Sequence, residues 1–91
     1  MTAADILRRA ADTMEERGKQ YDSPTGERSM GKAVRAFNSI TGRDLAVEEG
    51  WLLLGLVKDV RQYTSGKRHE DSAVDRVAYA ALEAEEVLGK L

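Results

Sequence analysis

Apolar residues fall in four blocks along the chain, each spaced at three and four residues. Ile6, Leu7, Ala10 and Met14 form the first stripe, and Met30, Ala33, Val34, Phe37 and Ile40 the second. Trp51, Leu52, Leu53, Leu54, Leu56, Val57 and Val60 make the third, and Val74, Val77, Ala78, Ala81 and Leu88 the fourth. This period is that of amphipathic helices, and it predicts four of them with no strand. The third block is apolar on more than one face, which predicts a central helix buried by several neighbours.

The polar residues between the blocks act as starts and stops. Thr2 with Asp5 has capping-box spacing at the start of the first helix. Arg17 and Gly18 read as its cationic last turn and its stop. Lys19 to Pro24 reads as a loop, with Ser23-Pro24 opening the second helix. Gly42 closes that helix, Asp44 is placed to cap the third, and Glu48 and Glu49 lie near its positive end. Ser65-Gly66 closes the third helix, and the fourth starts near Asp71 or Ser72. Gly55, inside the third helix, costs up to ~1 kcal/mol against Ala, and the expected compensation is close approach of another backbone. The connections are short, so neighbours in sequence are expected to run antiparallel in a small all-α four-helix bundle.

Length makes this one domain over residues 1–91. A chain this short buries only ~60% of its unfolded surface, so its core is marginal and association into a homo-oligomer is expected. Hydrophobic residues at 42% and charged residues at 33% fit a folded domain. The net charge of −2 and the pI of 5.4 do not fit a protein that coats nucleic acid. The absence of cysteine excludes disulfides, thiolate metal sites and a cysteine nucleophile. The start, Met1 to Asp5, lacks a basic segment followed by an apolar one, and the apolar run from Trp51 to Val57 is short of the ~20 residues a spanning helix needs. A cytoplasmic protein with no membrane partner is the expectation.

Candidate chemistry lies where cations interrupt the third block. Lys58 shares a face with Trp51 and Leu54, and Arg61 a face with Leu54 and Val57. Cations on an inner face are costly unless paired. Asp71 and Asp75 lie four apart on the fourth helix, with Tyr79 one turn further, and an antiparallel hairpin brings them toward Lys58 and Arg61. One reading is a polar pocket. Lys58 and Arg61 would bind phosphate or carboxylate, Asp71 and Asp75 would set specificity, and Tyr21 would stack on a base. The other reading is an ion-pair network that fixes helix register, with Ser72 and Asp75 as a capping box. His69, the single histidine, stands beside Lys67 and Arg68 in a turn that forms an anion patch or keeps the turn solvated.

Metal-assisted hydrolysis needs clustered carboxylates, and the third helix offers only Glu48, Glu49 and Asp59. No cofactor is expected. If the chain were an enzyme on nucleoside phosphates, Mg²⁺ on Asp71 and Asp75 would be its metal. Neither a phosphate loop nor a dinucleotide fingerprint is present.

Ala10-Ala11 leading to Arg17, Tyr21-Asp-Ser-Pro24, Lys58-x-x-Arg61 and His69-x-Asp71-Ser72-x-x-Asp75-x-x-x-Tyr79-Ala80 together resemble a family of small phage-encoded helical proteins. More distantly the pattern resembles the phage nucleotide-modification-associated domain. The resemblance runs from the first helix to Tyr79, and it departs at Asp22, where glycine is common in such proteins. It implies a phage origin, a site for a nucleotide-type ligand, and Tyr21, Lys58, Arg61, Asp71, Asp75 and Tyr79 as its residues. The expectation from residues and resemblance together is a binding protein for a nucleotide-type anion in the host cytoplasm, one that sequesters a host defence signalling nucleotide. An all-α nucleoside phosphate hydrolase and a protein inhibitor of a host defence system are the alternatives.

Overall fold

Four helices, α1 (Ala3–Gln20), α2 (Met30–Thr41), α3 (Val47–Thr64) and α4 (Glu70–Gly89), make up the structure, a computed structural model. It describes residues 1–20 and 29–90, with the backbone alone at 18–20. Among the described residues there is no strand, so the chain is an all-α four-helix bundle. No helix is long and apolar enough to cross a membrane.

The starts of α1 and α3 follow from a local donor count. The first backbone N–H groups of a helix lack carbonyl partners, so a nearby oxygen is used instead. At α1 the Thr2 N–H donates to Asp5 Oδ2 at 3.0 Å, and the Asp5 N–H donates to Thr2 Oγ1 at 3.1 Å. The Thr2 backbone N–H, and after it the Thr2 hydroxyl, hold the Asp5 carboxyl below its ordinary pKa. At α3 the expected cap was Asp44, but the helix begins later. Ala46 is the cap residue, and its N–H donates to Glu49 Oε1 at 2.8 Å. Glu49 thus does from inside the helix what Asp44 was expected to do from outside.

The stops differ in their agreement. Gly42 ends α2 at φ 71°, in the left-handed region where a Cβ would be strained, and its N–H donates to the Asn38 carbonyl at 2.9 Å. Asn38 fixes the next turn as well. Its side-chain amide donates to the Leu45 carbonyl at 3.0 Å and accepts from the Leu45 N–H at 2.8 Å. α1, by contrast, runs through Arg17 and Gly18 to Gln20. A glycine after a cationic turn does not stop a helix unless the backbone turns left-handed there. The predicted start at Ser23-Pro24 lies outside the described residues, where α2 is first described at Met30.

The helices pack in the order α1, α4, α3, α2. α4 lies between α1 and α3, and α2 rests on α3 alone. Among the described residues α1 does not pack on α2, contrary to the antiparallel neighbours expected from the short connection. The antiparallel pair α3/α4 is the backbone of the fold, with Lys90 on Glu48 at one end and the His69 N–H donating to Gln62 Oε1 at the other. The Lys90 ammonium at 2.6 Å holds the Glu48 carboxyl below its ordinary pKa.

The core is small. Ala10, Val74 and Ala78 are buried together, flanked by Ile6, Met14 and Val77. Val34, Trp51 and Leu82 are the other buried hydrophobic residues described. Two glycines allow the close contacts of α3. Gly50 lies under Met30 and Val34, and Gly55 under the Arg76 side chain, which would stand 3.3 Å from an added Cβ. The partner of Gly55 is therefore a guanidinium and its stem rather than the expected backbone.

The prediction that α3 is buried by several neighbours does not hold. Only Gly50, Trp51 and Gly55 are buried, while Leu52, Leu53, Leu56, Val57 and Val60 are exposed. With helices packed in a row rather than around a closed ring, α3 has a side that no helix covers.

Candidate functional site

The α3/α4 seam is where charged groups meet. Lys58 on α3 and Asp75 on α4 face each other across it, with Nζ 3.0 Å from Oδ2. Their side chains retain only 16% and 13% of their exposure. Arg17 reaches the same carboxylate from α1, with Nη2 3.5 Å from Oδ1. Asp75 therefore ties α1, α3 and α4 together at one point. The Arg17 guanidinium retains a third of its exposure.

The local sequence explains why the three meet. On α1, Ala10, Met14 and Arg17 follow one another at four and three residues, so Arg17 continues the stripe that packs on α4. Trp51 and Lys58 lie seven apart on α3, hence on one face, and Asp75 and Tyr79 lie four apart on α4. Beyond the ion pair along the same seam, the rings of Trp51 and Tyr79 stack at 5.8 Å with an interplanar angle of 26°. On the other side of the seam Arg76 Nε donates to both oxygens of Asp59, at 3.1 and 3.2 Å. Among the described residues no buried side-chain nitrogen or oxygen lacks a hydrogen-bond partner.

The remaining sequence candidates scatter. Asp71 is exposed and pairs with Arg9 at 3.2 Å, and Arg9 also holds Glu70 at 2.8 Å. Arg61 is exposed, and among the described residues it makes no ion pair, so the expected Arg61 partnership with Asp71 or Asp75 does not form. His69 caps α4 through its backbone, half-buried. Tyr79 has one face covered by Trp51. Tyr21 lies outside the described residues. Ser72 is buried inside α4 rather than at its start, so Ser72 and Asp75 are not a capping box, and Asp75 is left to its cations.

Sequence reasoning did not assign Arg9 or Arg17 to the site, nor pair Arg76 with Asp59. Arg17 carried a signal, its place on the Ala10 and Met14 stripe. Arg76 carried none, because helical spacing alone cannot show which of several seam cations meets Asp59.

Two further observations limit the chemistry. Among the described residues no group of three or more His, Cys, Asp or Glu side chains could hold a metal ion. An apolar groove of about 350 Å³ lies between α2 and α3, bordered by Met30, Phe37, Trp51 and Leu54, and among the described residues no charged side chain lines it.

The fold and site thus define a small all-α domain with a cation-rich cluster at a three-helix junction. The chain belongs to the family of the domain of unknown function DUF6378, whose model matches residues 5–87. No curated protein and no solved structure matches it.

Proposed function

We propose that this protein binds a nucleotide-type anion, with phosphate held at the junction of α1, α3 and α4. The observation that carries the reading is the convergence of Lys58 and Arg17 on Asp75. One carboxylate holds two cations in place. A phosphate recruits cations of this kind at little cost in side-chain entropy, because they are already ordered. Arg17 provides the planar fork of donors and Lys58 the point charge. Arg61, one turn beyond Lys58 and exposed, is placed to add a second phosphate contact. Tyr21 keeps its assigned role as a stacking residue for the base.

The resemblance to small phage helical proteins supports a finer reading. The chain is phage-encoded, acts in the host cytoplasm, and sequesters a host signalling nucleotide rather than turning it over. The analogy bears on class and does not name the nucleotide.

The test is a thermal-stability screen of the purified chain against mono-, di-, tri- and cyclic nucleotides, with and without Mg²⁺, followed by mass analysis of the nucleotides. Binding at a hundred times the dissociation constant stabilises the folded state by about 2.7 kcal/mol, a shift of at least ~10 °C for a domain this small. A shift with the nucleotide intact is the expected result, and it should vanish in a folded Lys58→Ala chain. Turnover would replace sequestration with catalysis. No shift with any member of the set would leave the junction a structural ion-pair group and overturn the reading.

A further inference from the structure

The exposed side of α3 has a regular pattern. Leu53, Leu56, Val60 and Tyr63 follow one another at three, four and three residues and are 57%, 47%, 60% and 84% exposed. Leu52 and Val57 flank them at 41% and 40%. Spacings of three and four are those of the a and d positions of a coiled coil, where each side chain fits between four residues of a facing helix. Among the described residues no helix faces them. Lys58 and Trp51 point the other way, into the seam with α4, so the stripe and the junction lie on opposite sides of α3.

The six side chains expose roughly 600 Å², at the top of the range for the largest apolar patch of a monomer. Phe37 and Ile40 on α2 are also exposed, at 41% and 85%.

Charge selects the occupant and its direction. The stripe itself holds no charged side chain, so its partner must present an uncharged apolar face of similar length. α3 of another copy is one. The helix is acidic at its first turn, Glu48 and Glu49, and the chain is basic just past its end, Lys67 and Arg68. Parallel pairing sets like charges side by side, whereas antiparallel pairing sets opposite charges together and aligns the helix dipoles favourably. One antiparallel register places Leu53 against Tyr63 and Leu56 against Val60 of the second copy, in four apolar layers. The same register brings Glu49 alongside Lys67, while Glu48 stays on Lys90 of its own chain.

We propose that two copies of this chain pair through the outer faces of α3, antiparallel about a two-fold axis near the middle of the helix. The pairing supplies the cover that the row of four helices lacks. It is independent of the ligand reading, because it uses the side of α3 away from Lys58.

Sedimentation of the full chain across the micromolar range tests it. The expected mass is twice the 10.0 kDa of one chain, falling to one chain mass in Leu56→Glu with helicity unchanged. The chain has no cysteine, so introduced ones report geometry directly. A Leu56→Cys/Val60→Cys chain should cross-link under mild oxidation, whereas Leu53→Cys alone should not, since its counterpart lies opposite Tyr63. The cross-linking comparison holds even if Leu56→Glu unfolds. A wild-type chain that sediments as one copy throughout overturns the proposal and leaves the face to a different partner. A two-copy mass retained by folded Leu56→Glu, or ready self-linking of Leu53→Cys, overturns the proposed face or its direction.

Discussion

Replacing Asp75 by Asn should destabilise the fold more than replacing Lys58 by Met, although each change breaks the same 3.0 Å ion pair. The asymmetry comes from what each change leaves behind. Asp75→Asn leaves the Lys58 ammonium 16% exposed with its carboxylate gone, and Arg17 loses the same partner. Breaking a fully buried pair from one side costs 3–5 kcal/mol. The residual water access here reduces that to about 2–3 kcal/mol. Lys58→Met leaves Asp75 still paired with Arg17 at 3.5 Å and fills the space of the lysine stem, so about 1–2 kcal/mol is expected. The double variant Lys58→Met/Asp75→Asn should cost less than the two singles added together, with a coupling of about 1–2 kcal/mol. Urea unfolding followed by circular dichroism and by fluorescence of the single tryptophan measures all four chains. Protein concentration must be held fixed, because association contributes to apparent stability. If Lys58→Met costs as much as Asp75→Asn, or the coupling is under ~0.5 kcal/mol, Asp75 is not the common anchor of the two cations.

The two glycines of α3 should respond differently to alanine. A Cβ at Gly50 would run into the Met30 thioether and stand 3.0 Å from Val34 Cγ2, so Gly50→Ala should cost about 1–3 kcal/mol in urea unfolding. A Cβ at Gly55 meets Arg76 at 3.3 Å, a tight contact that the gain of up to ~1 kcal/mol in helix propensity offsets, so Gly55→Ala should be close to neutral by the same measurement. Asp5 and Glu48 both have carboxyls held below their ordinary values, by the hydrogen bonds from Thr2 and from Lys90 respectively. A lowered folded-state pKa gives stability that is present above the ordinary carboxylate range and lost as pH falls through the lowered value. Asp5→Asn and Lys90→Met should therefore each flatten the acid limb of a stability-against-pH curve; an unchanged slope in both would refute the assignment.

The lesson of the sequence is uneven across the site. Lys58 against Asp75 was legible, because two cations on a mostly apolar helix and two aspartates on the next helix have few other ways to be satisfied. The rest of the cluster was not. Arg61 shares the sequence logic of Lys58 but lies one turn on, exposed, and makes no ion pair among the described residues. Asp71 shares the logic of Asp75 but sits beside α1, where Arg9 takes it. Spacing places such residues near one face of a helix, and only the crossing of two helices decides which of them meet.

The sequence by itself determined the four helices, the Thr2–Asp5 cap, the stops at Gly42 and Ser65-Gly66, and the pairing of α3 with α4. These depend on dihedral preferences, orphan donors and the helical period, all of which act over a few residues. Tertiary structure decided the order α1, α4, α3, α2, the replacement of Asp44 by Glu49 at the start of α3, and the arrival of Arg17 at Asp75. It also decided that the most apolar helix is open on one side. Apolar character shows that a surface must be covered, but which partner covers it depends on how many helices the fold can set around it, and here α4 and α2 leave one face of α3 free.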